Sequence, residues 1–461
     1  MSKVFGYSVI TLVGLKVFSS YFTNFSLYGD EAQYWLWSQN LDFGYFSKPP
    51  LLAWFLSGHT SLFGDSFFAL KMFPIIIYFF ISFSLYRFCL CLHLSVNKSI
   101  ICSFSFLIIP AASISSFLIS TDLLLLLFWL LAMSKVLELR SNGSVYNFFL
   151  LGIFLGLAFL AKYAAIYFLL SFLILIVLDK KTFIGMKNNL LGCLVFVCVI
   201  ILVLLPNILW NINNGWVTLS HTSSNANLQN LKLNLSEPLK FLFAQIFMVG
   251  PVLFFSFFYM LKSFRLDFVN KFLLIFSLPV IIVVLIESFL VRANANWAAP
   301  ALISLFILFF RFVIEKKQNL IIINFAANYV VAVFLFVSIL ISSNNKIFDR
   351  ISGMDDFIKE VLKKIDNNDL VITDRIIFSN ISYEIRNKSN KTYMPYIKGE
   401  PIKNHFQMSS PLSNRYQNDF YLIGDLGSVS YLLEDNRAKL INEFDVPFNS
   451  TKLKFYEVVF Q

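Results

Sequence analysis

Up to about residue 342 the chain reads as long apolar runs separated by short polar joints. A helix needs about 20 apolar residues to cross the hydrocarbon core of a bilayer, because no water is there to satisfy its backbone. By that rule the pattern predicts about eleven spans, with centres within 4–24, 66–92, 98–118, 121–139, 146–161, 163–179, 188–210, 238–261, 270–290, 297–314 and 319–342. The two runs that meet at Lys162 can also be read as one bent or re-entrant element. Beyond about Asn344 charge becomes frequent and the apolar runs shorten. Met354 to Ile365 has helical periodicity, and Leu370 to Thr373, Thr392 to Ile397, Phe420 to Ile423 and Leu453 to Val459 read as strands. The expected fold class is a polytopic α-helical membrane protein, residues 1–343, carrying a small C-terminal α/β domain, residues 344–461.

Composition agrees with this division. With 57% hydrophobic and only 14% charged residues, the 461-residue chain cannot be a single soluble globule, where about a quarter would be charged. The net charge of +10 does not point to nucleic acid, since no basic stripe or recognition motif accompanies it. It reports orientation instead. Lys3, Arg87, Lys98, Lys135, Arg140, Lys180, Lys181, Lys187, Lys262, Arg265, Lys271, Arg311, Lys316 and Lys317 fall in loops of one side, while the opposite loops hold little beyond Lys48, Lys162, Lys232 and Arg292. The N-terminus is then cytoplasmic, and an odd number of spans puts the Asp30 loop and the C-terminal domain outside. The first apolar run, Val4 to Tyr21, lacks a small-residue cleavage site and reads as a retained span. The five cysteines have no metal-ligand spacing and read as small buried hydrophobes.

Candidate chemistry gathers between Tyr28 and Trp54. Asp30 and Glu31 precede the aromatic run Tyr34, Trp35 and Trp37, and their plainest role is an acidic first helical turn. Capping does not explain why the same short stretch carries Tyr45 and then Lys48 ahead of Pro49 and Pro50, a pair that sets the next helix start. Lys48 is either a snorkelling lysine or a point charge for a lipid phosphate. Asp122 opens a leucine-rich span as a cap or a site residue, and Lys162 is an ionisable side chain in a nearly uncharged stretch. His221 lies in a polar outer loop with Trp216. In the run from Arg292 to Pro300, Trp297 can anchor at the interface, while Arg292 with Asn294 and Asn296 makes a compact polar lining able to hold an anion.

These residues resemble the bacterial GT-C membrane glycosyltransferases related to protein O-mannosyltransferases and to aminoarabinose transferases acting on lipid A. The resemblance rests on the Asp30-Glu31 pair, Tyr45 to Pro50, Thr121-Asp122, Ala161-Lys162-Tyr163 and Arg292 to Pro300. It is closest to the lipid A and core subgroup, through Asn296 to Pro300 and a tail with His405 followed by Pro411-Leu412. It implies a multi-pass protein of the bacterial inner membrane, with a periplasmic active site, a polyprenyl-phosphate sugar as donor and a lipid or glycan as acceptor. Asp30 matches an acidic residue that acts on the acceptor, and Lys48 matches a lysine that contacts the lipid phosphate. The relatives carry a metal-linked Glu just before that lysine where this chain has Ser47, so no cofactor is assigned and a divalent metal is left open.

The expected reaction is inverting sugar transfer. Asp30 would take or orient the acceptor proton, with Glu31 beside it orienting groups. Lys48, Lys162 and Arg292 would hold the donor phosphate, and Tyr34, Tyr45, Asp122, His221, Asn294, Asn296 and Trp297 would line the substrate. Membrane lipids are the surroundings, nucleic acid is not a partner, and a monomer is expected. The rival class is a transporter or flippase for a lipid-linked saccharide. It should show two halves with broken spans and midplane charges, and Lys16 is the charge that suits it.

Overall fold

The computed structural model describes residues 1–226, 234–291, 293–342, 348, 354–433, 438–445 and 452–460. Its helices, in chain order, are α1 (Ser2–Phe22), α2 (Gly29–Gln39), α3 (Leu51–Phe63), α4 (Phe67–Cys91), α5 (Val96–Leu107), α6 (Pro110–Ser115), α7 (Thr121–Ser141), α8 (Val145–Ala161), α9 (Ile166–Leu178), α10 (Lys180–Lys187), α11 (Leu190–Asn213), α12 (Val217–Ala226), α13 (Ser236–Val249), α14 (Pro251–Tyr259), α15 (Phe268–Ile275), α16 (Leu278–Leu290), α17 (Ala299–Lys316), α18 (Gln318–Leu340), α19 (Met354–Leu362), α20 (Arg375–Glu384) and α21 (Phe406–Ser409). Among the described residues six helical segments are long and apolar enough to cross a membrane: Ser2–Phe22, Phe67–Cys91, Leu190–Asn213, Phe268–Leu290, Ala295–Lys316 and Gln318–Leu340. Two sharply bent pairs raise the number to eight. Each of the eleven expected runs is helical, but several are broken.

The breaks have local causes. The run 98–118 divides at Ile109, which is extended because Pro110 follows it. The run 238–261 bends by 99° between α13 and α14. Gly250 takes φ +105° at the bend, a conformation a side chain would strain, and a Cβ there would stand 2.9 Å from Asn328 Nδ2. The amide of Leu253 freed by the bend donates to Asn324 Oδ1 at 3.1 Å. Around Lys162 there are two helices, joined by an extended Lys162 and a short turn at Tyr163–Ala165.

Close helix contact in a bilayer depends on small residues, since lipid offers no hydrophobic drive between helices. α8 meets α11 at Gly152 and Gly156, four residues apart on one face. A Cβ at either position would approach Val199 or Val203 to within 3 Å. Two buried lysines inside the helices have hydrogen-bond partners. The Lys71 ammonium on α4 reaches both carboxylate oxygens of Glu31, at 2.8 and 2.6 Å, and Lys16 donates to Ser116 Oγ at 2.6 Å. Cys89 and Cys102 are buried, but Cys91 and Cys198 are exposed, against the expectation of buried thiols throughout.

The C-terminal domain is a five-stranded sheet, β1 (Asp369–Ile372), β2 (Thr392–Tyr393), β3 (Phe420–Ile423), β4 (Ala438–Asp445) and β5 (Lys452–Val458), in the order β2-β1-β3-β5-β4. β1 runs parallel to β2 and β3, and β5 runs antiparallel to β3 and β4. The expected helix from Met354 stops at Leu362. Local pattern did not predict α20 or β4. α20 is rich in isoleucine, a modest helix former; its start is set by Asp374, whose side chain accepts from the amides of Ile376 and Ile377. The expected boundary at 343–344 lies outside the described residues.

Candidate active site

α2 stands where the membrane helices meet the sheet domain, and its first turn splits the acidic pair. Glu31 points inward and is fully buried. Besides Lys71, its carboxylate accepts from Ile119 N at 2.9 Å and from Tyr28 N at 2.9 Å, the latter in the manner of a capping carboxylate. Every acceptor position is used, so Glu31 joins α1–α2, α4 and the start of α7 and does not face a cavity. Asp30 points outward and is about half exposed. Arg375 of α20 meets it, with Nη1 donating to Asp30 Oδ1 at 3.1 Å and to Gln33 Oε1 at 3.0 Å. Sequence reasoning missed Arg375 because its element was not predicted and it lies far along the chain from Asp30.

The segment between α2 and α3 is pinned from several sides. Tyr45 stacks on Trp37, 4.5 Å between ring centres, and its hydroxyl donates to Trp37 O at 3.0 Å. Its carbonyl accepts from Thr218 Oγ1 at 2.7 Å. Asn207 Nδ2 donates to Phe43 O at 2.6 Å, and Trp210 Nε1 donates to Asp42 Oδ2 at 2.6 Å. This fixed loop presents Lys48, half-buried, into a cavity of about 570 Å³. Its walls are Ser47, Lys48, Lys162, Tyr163, Tyr167, Thr222, Glu287 and Trp297 among others, a mixture of charged, hydroxyl, aromatic and aliphatic side chains. Among the described residues the Lys48 ammonium has no hydrogen-bond or ion-pair partner. It is pushed below the ordinary lysine range, chiefly by burial and then by Lys162, while Asp122 and Asp30 oppose the shift.

Lys162 is held in place. Its Nζ donates to Asp122 Oδ1 at 2.7 Å, and Asn296 Nδ2 donates to the other oxygen at 3.0 Å. Three stretches distant in sequence, the start of α7, the α8–α9 junction and the turn before α17, thus converge. Next to them Asn211 donates to the Tyr163 hydroxyl at 3.2 Å, which donates to Asn207 Oδ1 at 2.8 Å.

Tyr34 is buried beside Trp37, and its phenol is pushed up by burial and then by Asp30 and Asp122. His221 lies on α12, a helix within what reads as a loop from sequence, packed 4.8 Å from Phe46; burial and then Lys48 and Arg375 push its imidazole down. His405 reaches in from the sheet domain and meets Trp37 and Tyr45 edge-on, with burial pushing it down to about 4. Trp297 lines the cavity; Asn294 is exposed, and its carbonyl accepts from Trp297 N at 3.0 Å. Arg292 lies outside the described residues. Among the described residues no three His, Cys, Asp or Glu side chains converge as a metal donor set. Asp122, beside Lys162, is already bonded to Lys162 and Asn296.

Residues 47–210 match the family of dolichyl-phosphate-mannose-protein mannosyltransferases, a stretch that includes Lys48, Asp122, Lys162 and the Asn207 network. The lipid A galacturonosyltransferase RgtD of Rhizobium johnstonii is 27% identical over 426 residues, covering 88% of this chain and 85% of that protein. The crystal structure of ArnT from Cupriavidus metallidurans in the apo state superposes with a TM-score of 0.63 at 12% identity, covering 98% of both chains. The same protein bound to undecaprenyl phosphate gives 0.64 at 12% identity, covering 97% of both. The solved structures show the fold, and the matched segment and the aligned relative make this chain similar to membrane glycosyltransferases of that fold.

Proposed function

We propose that the chain transfers a sugar from a polyprenyl-phosphate donor, with inversion at C1, to lipid A or lipopolysaccharide core on the periplasmic side of the bacterial inner membrane. The observation that carries this reading is Lys48: a lysine without a partner among the described residues, lining a cavity whose walls combine Lys162 and hydroxyl groups with aromatic and aliphatic side chains. That is the surface a lipid phosphate with a long hydrocarbon tail requires. The similarity to a lipid A transferase, and the capture of undecaprenyl phosphate by a protein of the same fold, support the choice of donor and acceptor.

In the reaction, the acceptor oxygen attacks C1 of the sugar and its proton passes to the Asp30 carboxylate. The bond from C1 to the phosphate oxygen breaks, and the polyprenyl phosphate leaves as a monoester with more negative charge than the diester. Lys48 and Lys162, with Arg292, receive that charge, while Asp122 and Asn296 fix the Lys162 ammonium. Trp297 lines the space for sugar and acceptor, His221 and Asn294 are assigned to its border, and Tyr34 and Tyr45, both buried, pack on Trp37 behind it. Glu31 acts through the helix it anchors, not on substrate. A general base contributes about 10²–10⁴-fold, and preplaced cations around a leaving phosphate contribute a similar or larger factor.

The test is transfer in proteoliposomes from a defined polyprenyl-phosphate sugar to lipid A, read by mass spectrometry. Asp30→Asn should insert and melt like the wild type and lose about two orders of magnitude or more in turnover. Activity in that variant within about threefold of wild type removes the base from the mechanism.

A further inference from the structure

The contact at Asp30 is built with more precision than a seam between two domains needs. α20 lies along α2 at a separation that Gly29 permits, since a Cβ there would stand 2.6 Å from Ile376 Cγ2. Ser379 Oγ reaches Gly29 O at 3.4 Å, Trp35 meets Tyr383 edge-on at 5.0 Å, and the Tyr383 hydroxyl donates to Asp65 O at 2.9 Å. Arg375 is the first residue of the helix so held, directly after its capping Asp374. Its guanidinium is therefore delivered to one place.

Only Nη1 is engaged there; among the described residues Nε and Nη2 make no hydrogen bond. The Arg375 and Asp30 side chains are 43% and 46% exposed, so water reaches the pair and the pair itself adds little stability. Arg375 meets Asp30, the carboxylate proposed above as the base, so an anion on its open donors would lie beside the reacting groups. An arginine fork with one arm on a carboxylate and the remaining donors open is shaped to take a second oxyanion, carboxylate or phosphate.

We propose that Arg375 binds an anionic substituent of the substrate, a carboxylate on the transferred sugar or a phosphate on the acceptor, and that this anion exchanges with Asp30 for the guanidinium. The proposal rests on the transferase reading above. Its consequence is that a charged substrate, by drawing the guanidinium away, frees Asp30 to take the acceptor proton more fully than a neutral one does. The C-terminal domain thereby takes part in substrate choice, although the reacting groups stand on membrane helices and their loops.

The experiment uses full-length protein in proteoliposomes with four substrate pairs: uronic or neutral hexose donor, each with phosphorylated or dephosphorylated lipid acceptor. Arg375→Ala should raise the KM of whichever substrate carries the anion about tenfold or more. For its neutral counterpart KM should stay within about twofold. Arg375→Lys should recover part of the loss, because it restores charge without the fork. Dependence on the donor carboxylate or on the acceptor phosphate identifies the source of the anion. An equal loss for charged and neutral substrates overturns the proposal and makes Arg375 a structural tie. Equilibrium binding of glucuronate and of inorganic phosphate to purified wild type and Arg375→Gln separates the two readings. Probe binding that Arg375→Gln abolishes, in a wild type that makes no product with any donor, retains the anion site and rejects the transferase. Wild-type binding of neither probe, together with KM values blind to substrate charge, rejects the anion site.

Discussion

Lys48 and Glu31 are ionisable side chains near a membrane surface whose surroundings give them opposite uses. Glu31 has its full set of partners and is spent on structure, whereas Lys48 has none among the described residues and faces open space. If Lys48 met the donor phosphate equally in ground and transition states, its loss would raise only the donor KM. A leaving phosphate gains charge, so Lys48→Ala should lower kcat as well as raise KM. Lys48→Arg should restore part of the rate, since a planar fork on a longer arm places its charge elsewhere. The sign of the pH effect follows from burial. A lysine pushed below its ordinary range loses its proton at lower pH than a free one, so the alkaline limb of kcat/KM for the donor should fall below that range in wild type. With the always-charged arginine that limb should vanish. Steady-state transfer at varied donor and pH measures all three effects, and unchanged kinetics in the alanine variant would return Lys48 to a snorkelling role.

Among the elements, α2 is the one the others use. It is short and mostly buried, and it is clamped by α4 through Lys71–Glu31, by the start of α7 through Ile119 N and by α20 through Arg375. The Lys71–Glu31 pair is buried on both sides, so removing one partner leaves a charge unmet. Lys71→Met should cost about 3–5 kcal/mol of stability, and Lys71→Met with Glu31→Gln should recover part of it. Melting temperatures in detergent report this, while turnover per folded molecule should stay within about threefold of wild type, since neither residue is proposed to touch substrate. A selective collapse of turnover with normal melting would put Glu31 into the chemistry instead.

Across the whole molecule, the ends of the helices sort by charge. Asp122, Lys162, the turn before α17 and the sheet domain lie at the end that holds the cavity. At the other ends of the same helices Arg140 pairs with Asp179 at 2.9 Å, Arg311 pairs with Asp267 at 2.9 Å and Lys271 sits on Leu178 O. Basic residues collect on the cytoplasmic side, so the cavity end should be periplasmic. A reporter active only outside the cytoplasm should be active when fused after Gln461 and silent when fused at Lys181 or Lys316. Activity at Lys316 with silence at Gln461 would invert the molecule.

Long apolar runs, the change of composition near residue 344 and the placing of Asp30, Lys48, Asp122 and Lys162 at loop or helix-end positions are legible along the chain, because hydrophobic length and charge cost act locally. The Gly-x-x-x-Gly face at Gly152 and Gly156 is also written there as a short-range motif. The bends at Gly250 and Pro110 were signalled only by single residues inside otherwise continuous runs. Which carboxylate of the pair stays exposed could not be read, since Asp30 and Glu31 differ by about 100° of helical rotation and only the position of Lys71, 40 residues later, decides which one is buried. Nor could the convergence of Asp122, Lys162 and Asn296, or the reach of Arg375 to Asp30 across 345 positions. Such contacts depend on how helices and sheet pack against one another, a long-range property that periodicity does not encode.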